Sequence, residues 1–457
     1  MSDREPIPAR YHAQIDPAFQ GNPWAEALPP VLKPREIVEY LRRPPSATPS
    51  DALRAEDDLY RIQQAHNLWW YHEPMSKSVR IFQRLTQLLW QGYRPRNPLA
   101  HRYPNQLPDG TWVRPVPRGG RPLGLHIVGH SGMGKSTAVQ ESLSYYPQVI
   151  THSQFREQVF ITAQITWLCL ECPRTDALRS MCTAIIDRVD ELLGNDGGYR
   201  DLYIRSRSTE QDLEEAVKRI FKNHGLGLLV LDEVQQLADA RGDSGRRILN
   251  FFVSFTNELN VPLVLVGTDA AIDHLGRDFR QLRRGGSFGA IHWPPMKSPD
   301  GGLDDEFKTF CEGLWKYQYV TRPQPLHPRH LEALRYHSEG ITALIVTLFI
   351  LAQERAIETG LETISPEVIE SVGEGEEFHL LLPGLEALAN QSGEPSMLFS
   401  DLSDHLSPLH LHRLRESRMN RGRGRLSSGP DGPEEETCER SPTPEAPTEQ
   451  EQQEDDR

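Results

Sequence analysis

Cysteine is scarce: five among 457 residues, an odd number and far too few to staple a chain of this length, which fits a reducing compartment. Long apolar runs are missing too. The longest, Ile341 to Ala352, spans twelve residues with Thr342 and Thr347 inside it, short of the roughly 20 a bilayer needs, and it reads as a buried helix. The opening residues, MSDREPIPAR, hold no apolar signal region, so the expectation is a cytoplasmic protein with no membrane role. Positive charge is the scarcer sign. Fifty Lys and Arg against 64 Asp and Glu give −14, which on its face argues against nucleic acid.

The location of that charge weakens the objection. Pro430 to Arg457 carries eleven acids against Arg440 and Arg457, a tail of −9 that leaves −5 for the rest. Immediately before it, Arg413, Arg415, Arg418, Arg421, Arg423 and Arg425 face only Glu416. The length allows two or three domains, and 36 Pro with 34 Gly suggest that part of the chain is unpacked.

Proline crowds residues 1–50, which predicts an extended arm, either an unstructured leader or a partner-docking strand anchored by Trp24 and Leu28. Residues 51–121 read as two helices, about Leu53 to Asn67 and Ser76 to Gln91, then a Pro-rich connector with six arginines between Arg94 and Arg121. From residue 122 to 296 short apolar strands alternate with helices: Leu123 to Val128, Gln164 to Leu170, Leu228 to Leu231 and Pro262 to Val266. That rhythm predicts an α/β fold, a parallel sheet covered by helices on both faces. Ser208 with Gln211 predicts a capping box for the helix that carries Leu213, Val217 and Ile220. Residues 297–372 read as a small all-helical domain, and residues 373–457 as a C-terminal extension with a basic-then-acidic disordered tail.

Gly129, His130, Ser131, Gly132, Met133, Gly134, Lys135 and Ser136 match GxxxxGK[ST], directly after a strand and directly before a helix. Such a loop converges backbone N–H groups on phosphate at a helix N-terminus, and extends through Thr137. Lys135 is expected to reach the β- and γ-phosphates of ATP, and Ser136 to hold Mg²⁺. About a hundred residues on, a continuous apolar strand delivers Asp232 and Glu233. There Asp232 suits a Mg²⁺ ligand acting through water, and Glu233 suits the group that polarises the attacking water. Thr268, after the next strand, is a candidate γ-phosphate sensor or a simple helix cap. Arg280, Arg283 and Arg284 are either a solvated basic patch or the source of an arginine that reaches a neighbouring subunit's γ-phosphate. Cys169 and Cys172 form a CxxC with no second pair, so they read as small packing groups rather than zinc ligands.

The segments LGLLVLDEVQQL, LNFFVSFTNELNVPLVLVGTDAA and FRQLRRGGSFGAIHW closely resemble the TnsC/TniB family of AAA+ transposition regulators. ITAQITWLCLECP, the VDELLG stretch to Tyr199, and QGYRPRNP around Arg96 to Pro98 look like the same family. The resemblance implies an AAA+ ATPase with a helical lid domain that uses ATP and Mg²⁺. It also implies assembly as a homo-oligomeric ring or filament around duplex DNA, and a link between a TniQ-type target-selection protein and transposase subunits. By the same resemblance Glu233 is catalytic, Thr268 is sensor one, and Arg283 or Arg284 is the arginine finger. The lid helix departs from many AAA+ proteins: it opens Gly340, Ile341, Thr342, with Arg335 before it and Arg355 well after. Rival readings are a helicase-loader-like or DNA-remodelling ATPase, and a nucleotide-gated scaffold with little turnover.

The acidic tail has almost no apolar residue to bury, so deletion after Gly429 should leave the melting temperature nearly unchanged. A large loss of thermal stability in a calorimetric scan would show that the tail packs on the core.

Overall fold

The computed structural model describes residues 5–99, 123–172, 178–238, 244–268, 288–296 and 304–380. All of them lie in the first of two units, residues 1–406 and 407–457. The basic-then-acidic tail and four of the six connector arginines therefore fall outside the described residues.

Proline does not keep the N-terminal segment extended. Ile7–Pro8 (β1) is a strand, but Pro23–Glu26 (α1) and Pro34–Leu41 (α2) are helices with proline in the first turn, where its missing N–H costs no intrahelical bond. Trp24 and Leu28, read as possible anchors for a partner, are instead core residues, 8% and 0% exposed. The Trp24 ring leans on Tyr93, and its carbonyl accepts a hydrogen bond from Gln164 Nε2 at 3.1 Å. Burying each of these two side chains contributes about 2–3 kcal/mol, enough to hold the segment on the body.

The expected first helix is two, Asp51–Arg54 (α3) and Asp58–His66 (α4), because Asp57 caps the second by accepting from Leu59 N at 2.9 Å. Ser76–Tyr93 (α5) follows, burying Ile81, Phe82, Leu85, Leu88 and Leu89 at helical spacing. Just beyond its end Arg96 donates to the carbonyls of Gly92, Leu226 and Gly227, which fastens α5 to the start of a central strand.

Next come Gly124–Gly129 (β2), Lys135–Leu143 (α6), Val149–Phe155 (β3), Gln158–Ile165 (β4), Trp167–Glu171 (β5), Leu178–Leu193 (α7), Gly198–Tyr203 (α8) and Glu210–Asn223 (α9). Leu228–Asp232 (β6), Gln235–Ala238 (α10), Ser244–Leu259 (α11), Leu263–Gly267 (β7) and Ala290–Trp293 (β8) complete the layer. Five strands form a wholly parallel sheet in the order β5-β6-β7-β2-β8. The strands β6 and β7 are buried along their whole length, which is why their sequences are apolar without alternation.

Two expectations change. Gln164 to Leu170 is not one strand: Thr166 breaks it, its hydroxyl bonding Pro147 O and its N–H bonding Gln148 O. Gln164 belongs to an antiparallel hairpin, β3–β4, that with β1 forms a separate three-stranded sheet. The capping box lies one residue later than expected, on Thr209 and Asp212, because the Ser208 hydroxyl is turned back to Tyr203 O.

The helical region comprises Asp305–Leu314 (α12), Pro328–Ser338 (α13), Thr342–Glu358 (α14), Pro366–Gly373 (α15) and Glu376–Leu380 (α16). The run from Ile341 to Ala352 is the N-cap and first part of α14, with Ile345 to Ile350 and Ala352 buried. No single helix among the described residues is long and apolar enough to cross a membrane. Arg61 of α4 ties this region to the segment before α5: its guanidinium, 3% exposed, grips both carboxylate oxygens of Glu362 at 2.7 and 2.8 Å.

Hydrogen bonding from Arg61, with help from Thr321 N–H and against a burial penalty, holds the Glu362 carboxyl below its ordinary value of 4.5. A carboxyl lowered in this way adds stability that is complete above 4.5 and is lost as the pH falls through the lowered folded value. Glu362→Gln should therefore cost roughly 2 kcal/mol near neutrality, and the gap from the parent should close in acid. Urea unfolding of both proteins across that range measures it; a gap that does not narrow in acid would contradict the pairing.

Candidate functional site

Three strands of the parallel sheet end side by side, so their last residues share one rim. Val128 pairs with Gly267 between β2 and β7, and Leu231 with Leu265 between β6 and β7. The rim therefore carries Gly129 and its loop, then Gly267–Thr268, then Asp232–Glu233. Carboxyl ends of parallel strands are where α/β proteins place nucleotide chemistry.

The loop from Gly129 to Gly134 turns β2 into α6. At Gly129 a Cβ would lie 2.1 Å from the carbonyl oxygen of Trp293 on β8, so no side chain fits. Gly134, which caps α6, sits at φ +90° in the left-handed region that glycine adopts without steric cost. Lys135 is 8% exposed, and its ammonium donates to the carbonyls of Gly129 and His130, both at 2.7 Å. Met133 and His130 are buried, Ser136 is half-buried, and Ser131, Gly132 and Thr137 are exposed at the mouth. A cation stored beneath a glycine loop at a helix N-terminus suits a polyphosphate.

Asp232 is 4% exposed and accepts from the N–H of Glu233 at 2.9 Å. Glu233 takes a left-handed backbone, φ +55°, and its carboxylate accepts from Gln235 Nε2. Thr268, 6% exposed, follows β7 directly. The rim thus brings together the loop, Asp232, Glu233 and Thr268. A hydroxyl on Ser136 and a carboxylate on Asp232 are hard oxygen donors of the kind Mg²⁺ takes alongside phosphate. Arg280, Arg283 and Arg284 lie outside the described residues.

The opening of α14 also reaches the loop, which the sequence reading treated only as a missing arginine. The N–H of Ala343 donates to Gly132 O at 3.0 Å, and the N–H of Met296 donates to Gly340 O at 3.0 Å. Arg355 lies thirteen residues along α14 from Thr342, about 20 Å away, and pairs with Glu377. The segment that meets the loop is thus Ile341 to Ala343; Gly340 before it and the following helix were the signal available for it.

The CxxC side chains serve packing. Burial, with Asp232 and Glu171 nearby, pushes the Cys169 thiol up to about 12; burial likewise raises Cys172, and pushes Cys182 up to about 12. Among the described residues no group of three His, Cys, Asp or Glu side chains is disposed to hold a metal.

Residues 113–295 match the family model described as bacterial TniB protein, a span that takes in the whole parallel sheet. That span, about two fifths of the chain, is similar to the TniB family. Several solved structures are similar. The Aeropyrum pernix ORC2 protein in its ADPNP–ADP complexes is 17% identical, over 60% of this chain and 66% of that one, with a TM-score of 0.38. Cdc6p from Pyrobaculum aerophilum is 14% identical over 75% and 77%, with a TM-score of 0.40, and a Walker-type ATPase of Pyrococcus abyssi is 14% identical over 59% and 71%, with a TM-score of 0.36. This chain covers just under two thirds of the ORC2 structure. A comparison with curated proteins finds no match.

Lys135→Ala removes the ammonium held by the two loop carbonyls. ATP affinity measured by calorimetry should fall by roughly 10- to 100-fold, the scale of a charge-assisted bond. An unchanged affinity would show that this loop is not the nucleotide site.

Proposed function

We propose that the chain is an ATP-dependent regulator of DNA transposition that assembles on duplex DNA, links a TniQ-type target-selection protein to transposase subunits, and disassembles on hydrolysis. The observation that carries this reading is the shared rim: the Lys135 loop, the Asp232–Glu233 pair and Thr268 meet inside the region that matches the TniB family.

In this reading the backbone N–H groups from Gly129 to Ser136 and the Lys135 ammonium bind the β- and γ-phosphates. The ammonium exchanges its two main-chain carbonyl partners for phosphate oxygens. Ser136 and, through water, Asp232 would hold Mg²⁺, which would supply positive charge against that building on the phosphate oxygens. The Glu233 carboxylate orients the attacking water and accepts its proton. The Thr268 hydroxyl donates toward the γ-phosphate, and Arg283 or Arg284 of a neighbouring subunit supplies positive charge there. The Ala343–Gly132 bond gives the helical region a direct contact with the phosphate loop, and with it a route from nucleotide state to oligomer shape.

Glu233→Gln keeps size and hydrogen bonding but removes the base. ATP should still bind, turnover should drop by roughly 10²-fold or more, and the variant should persist on duplex DNA in ATP where the parent dissociates. Asp232→Asn should weaken productive ATP binding as well. Equal DNA off-rates for Glu233→Gln and the parent would sink hydrolysis-driven disassembly, and undiminished hydrolysis would remove Glu233 from catalysis. Integration assays with and without the chain separate a transposition regulator from a helicase loader.

A further inference from the structure

Glu233 is held in an unusual way. Its left-handed backbone, φ +55°, costs a non-glycine residue about 1–2 kcal/mol, so its carboxylate is aimed by its surroundings rather than by local preference. On one side Asp232 Oδ1 accepts its N–H at 2.9 Å, and the next N–H, of Val234, donates to Val266 O on β7 at 3.1 Å. On the other, the amide of Gln235 donates from Nε2 to Glu233 Oε2.

The opposite end of that amide is equally specific. Gln235 Oε1 is buried and has no hydrogen-bond partner among the described residues. It lies against Gly267, the last residue of β7, where a Cβ would stand 3.1 Å from Oε1 and 3.5 Å from the Val234 Cβ. The amide thus spans from the carboxylate on β6 to the end of β7, one residue before Thr268.

We propose that Gln235 is a positioning residue for Glu233: its amide, wedged against the bare backbone of Gly267, sets the direction of the carboxylate relative to the end of β7. This rests on the ATPase reading of the site. The hydrogen bond limits the swing of the carboxylate. A methyl group at Gly267 would stand 3.1 Å from Oε1, so the amide would have to give way by a few tenths of an ångström.

Gln235→Met keeps the length of the side chain and removes its donor. Turnover should fall roughly 10-fold or more while ATP affinity by calorimetry stays within about twofold, since misdirection of a reacting group costs rate rather than binding. Gly267→Ala should lower turnover in the parent and have no further effect in a Gln235→Ala background, where the side chain it displaces is gone. A third measurement needs no nucleotide. In urea unfolding of the nucleotide-free protein, the effects of Glu233→Ala and Gln235→Ala should be less than additive in the double variant. Additive effects, or a Gln235→Met variant whose affinity falls as far as its turnover, would overturn the proposal. If the parent itself does not hydrolyse ATP, the ATPase reading fails, while the unfolding cycle still reports whether Gln235 holds Glu233.

Discussion

The ammonium of Lys135 is buried at the turn from β2 into α6, and the surrounding structure depends on its being neutralised there. Two carbonyls of the same loop, Gly129 and His130, accept from it at 2.7 Å. They face it only because the loop is glycine-rich and because β8 comes so near β2 that Gly129 has no room for a Cβ. Phosphate oxygens offer the ammonium the same kind of acceptor as those carbonyls with full negative charge, which is the chemical basis for reading the loop as a polyphosphate site.

Around that turn, the molecule fixes three strand ends and one helix start. Asp232 and Glu233 come from β6, Thr268 from β7, and the opening of α14 contributes the Ala343 N–H to Gly132. Each belongs to an element buried against others, so the rim inherits its precision from the core rather than from its own contacts. Arg96 clips α5 to the start of β6, and Arg61 ties α4 to Glu362 in the helical region. The N-terminal segment adds Trp24 to the layer beside Tyr93. Elements far from the rim in sequence thereby limit how it can move.

Much of the fold was legible because the apolar patterns were strong. The buried strands around Val230 and Val264 carry unbroken apolar residues, the one around Val128 is interrupted only by His126, and α5, α7 and α9 carry helical spacing, so their existence followed from burial on two faces or one. The hairpin from Val149 to Ile165 was missed although its residues alternate and Arg156 marks a turn at φ +54°. Its outward residues Val159 and Ile161 are apolar yet 73% and 81% exposed, which blurred the alternation. The N-terminal prolines misled for a different reason: proline opposes helix interiors, but at a first turn it favours the helix.

By itself the sequence determined the chemistry available: a glycine loop ending in Lys135 and Ser136, two carboxylates behind an apolar strand, and a parallel α/β layer to carry them. Those are local patterns, set by residue type and spacing. Only the tertiary structure decided what stands beside what. It placed Gly267 against the amide of Gln235, Ile341 to Ala343 against the phosphate loop, and Trp24 in the core. Contacts between residues a hundred or more positions apart depend on strand order and register, which close packing selects among the many pairings that the same local patterns permit.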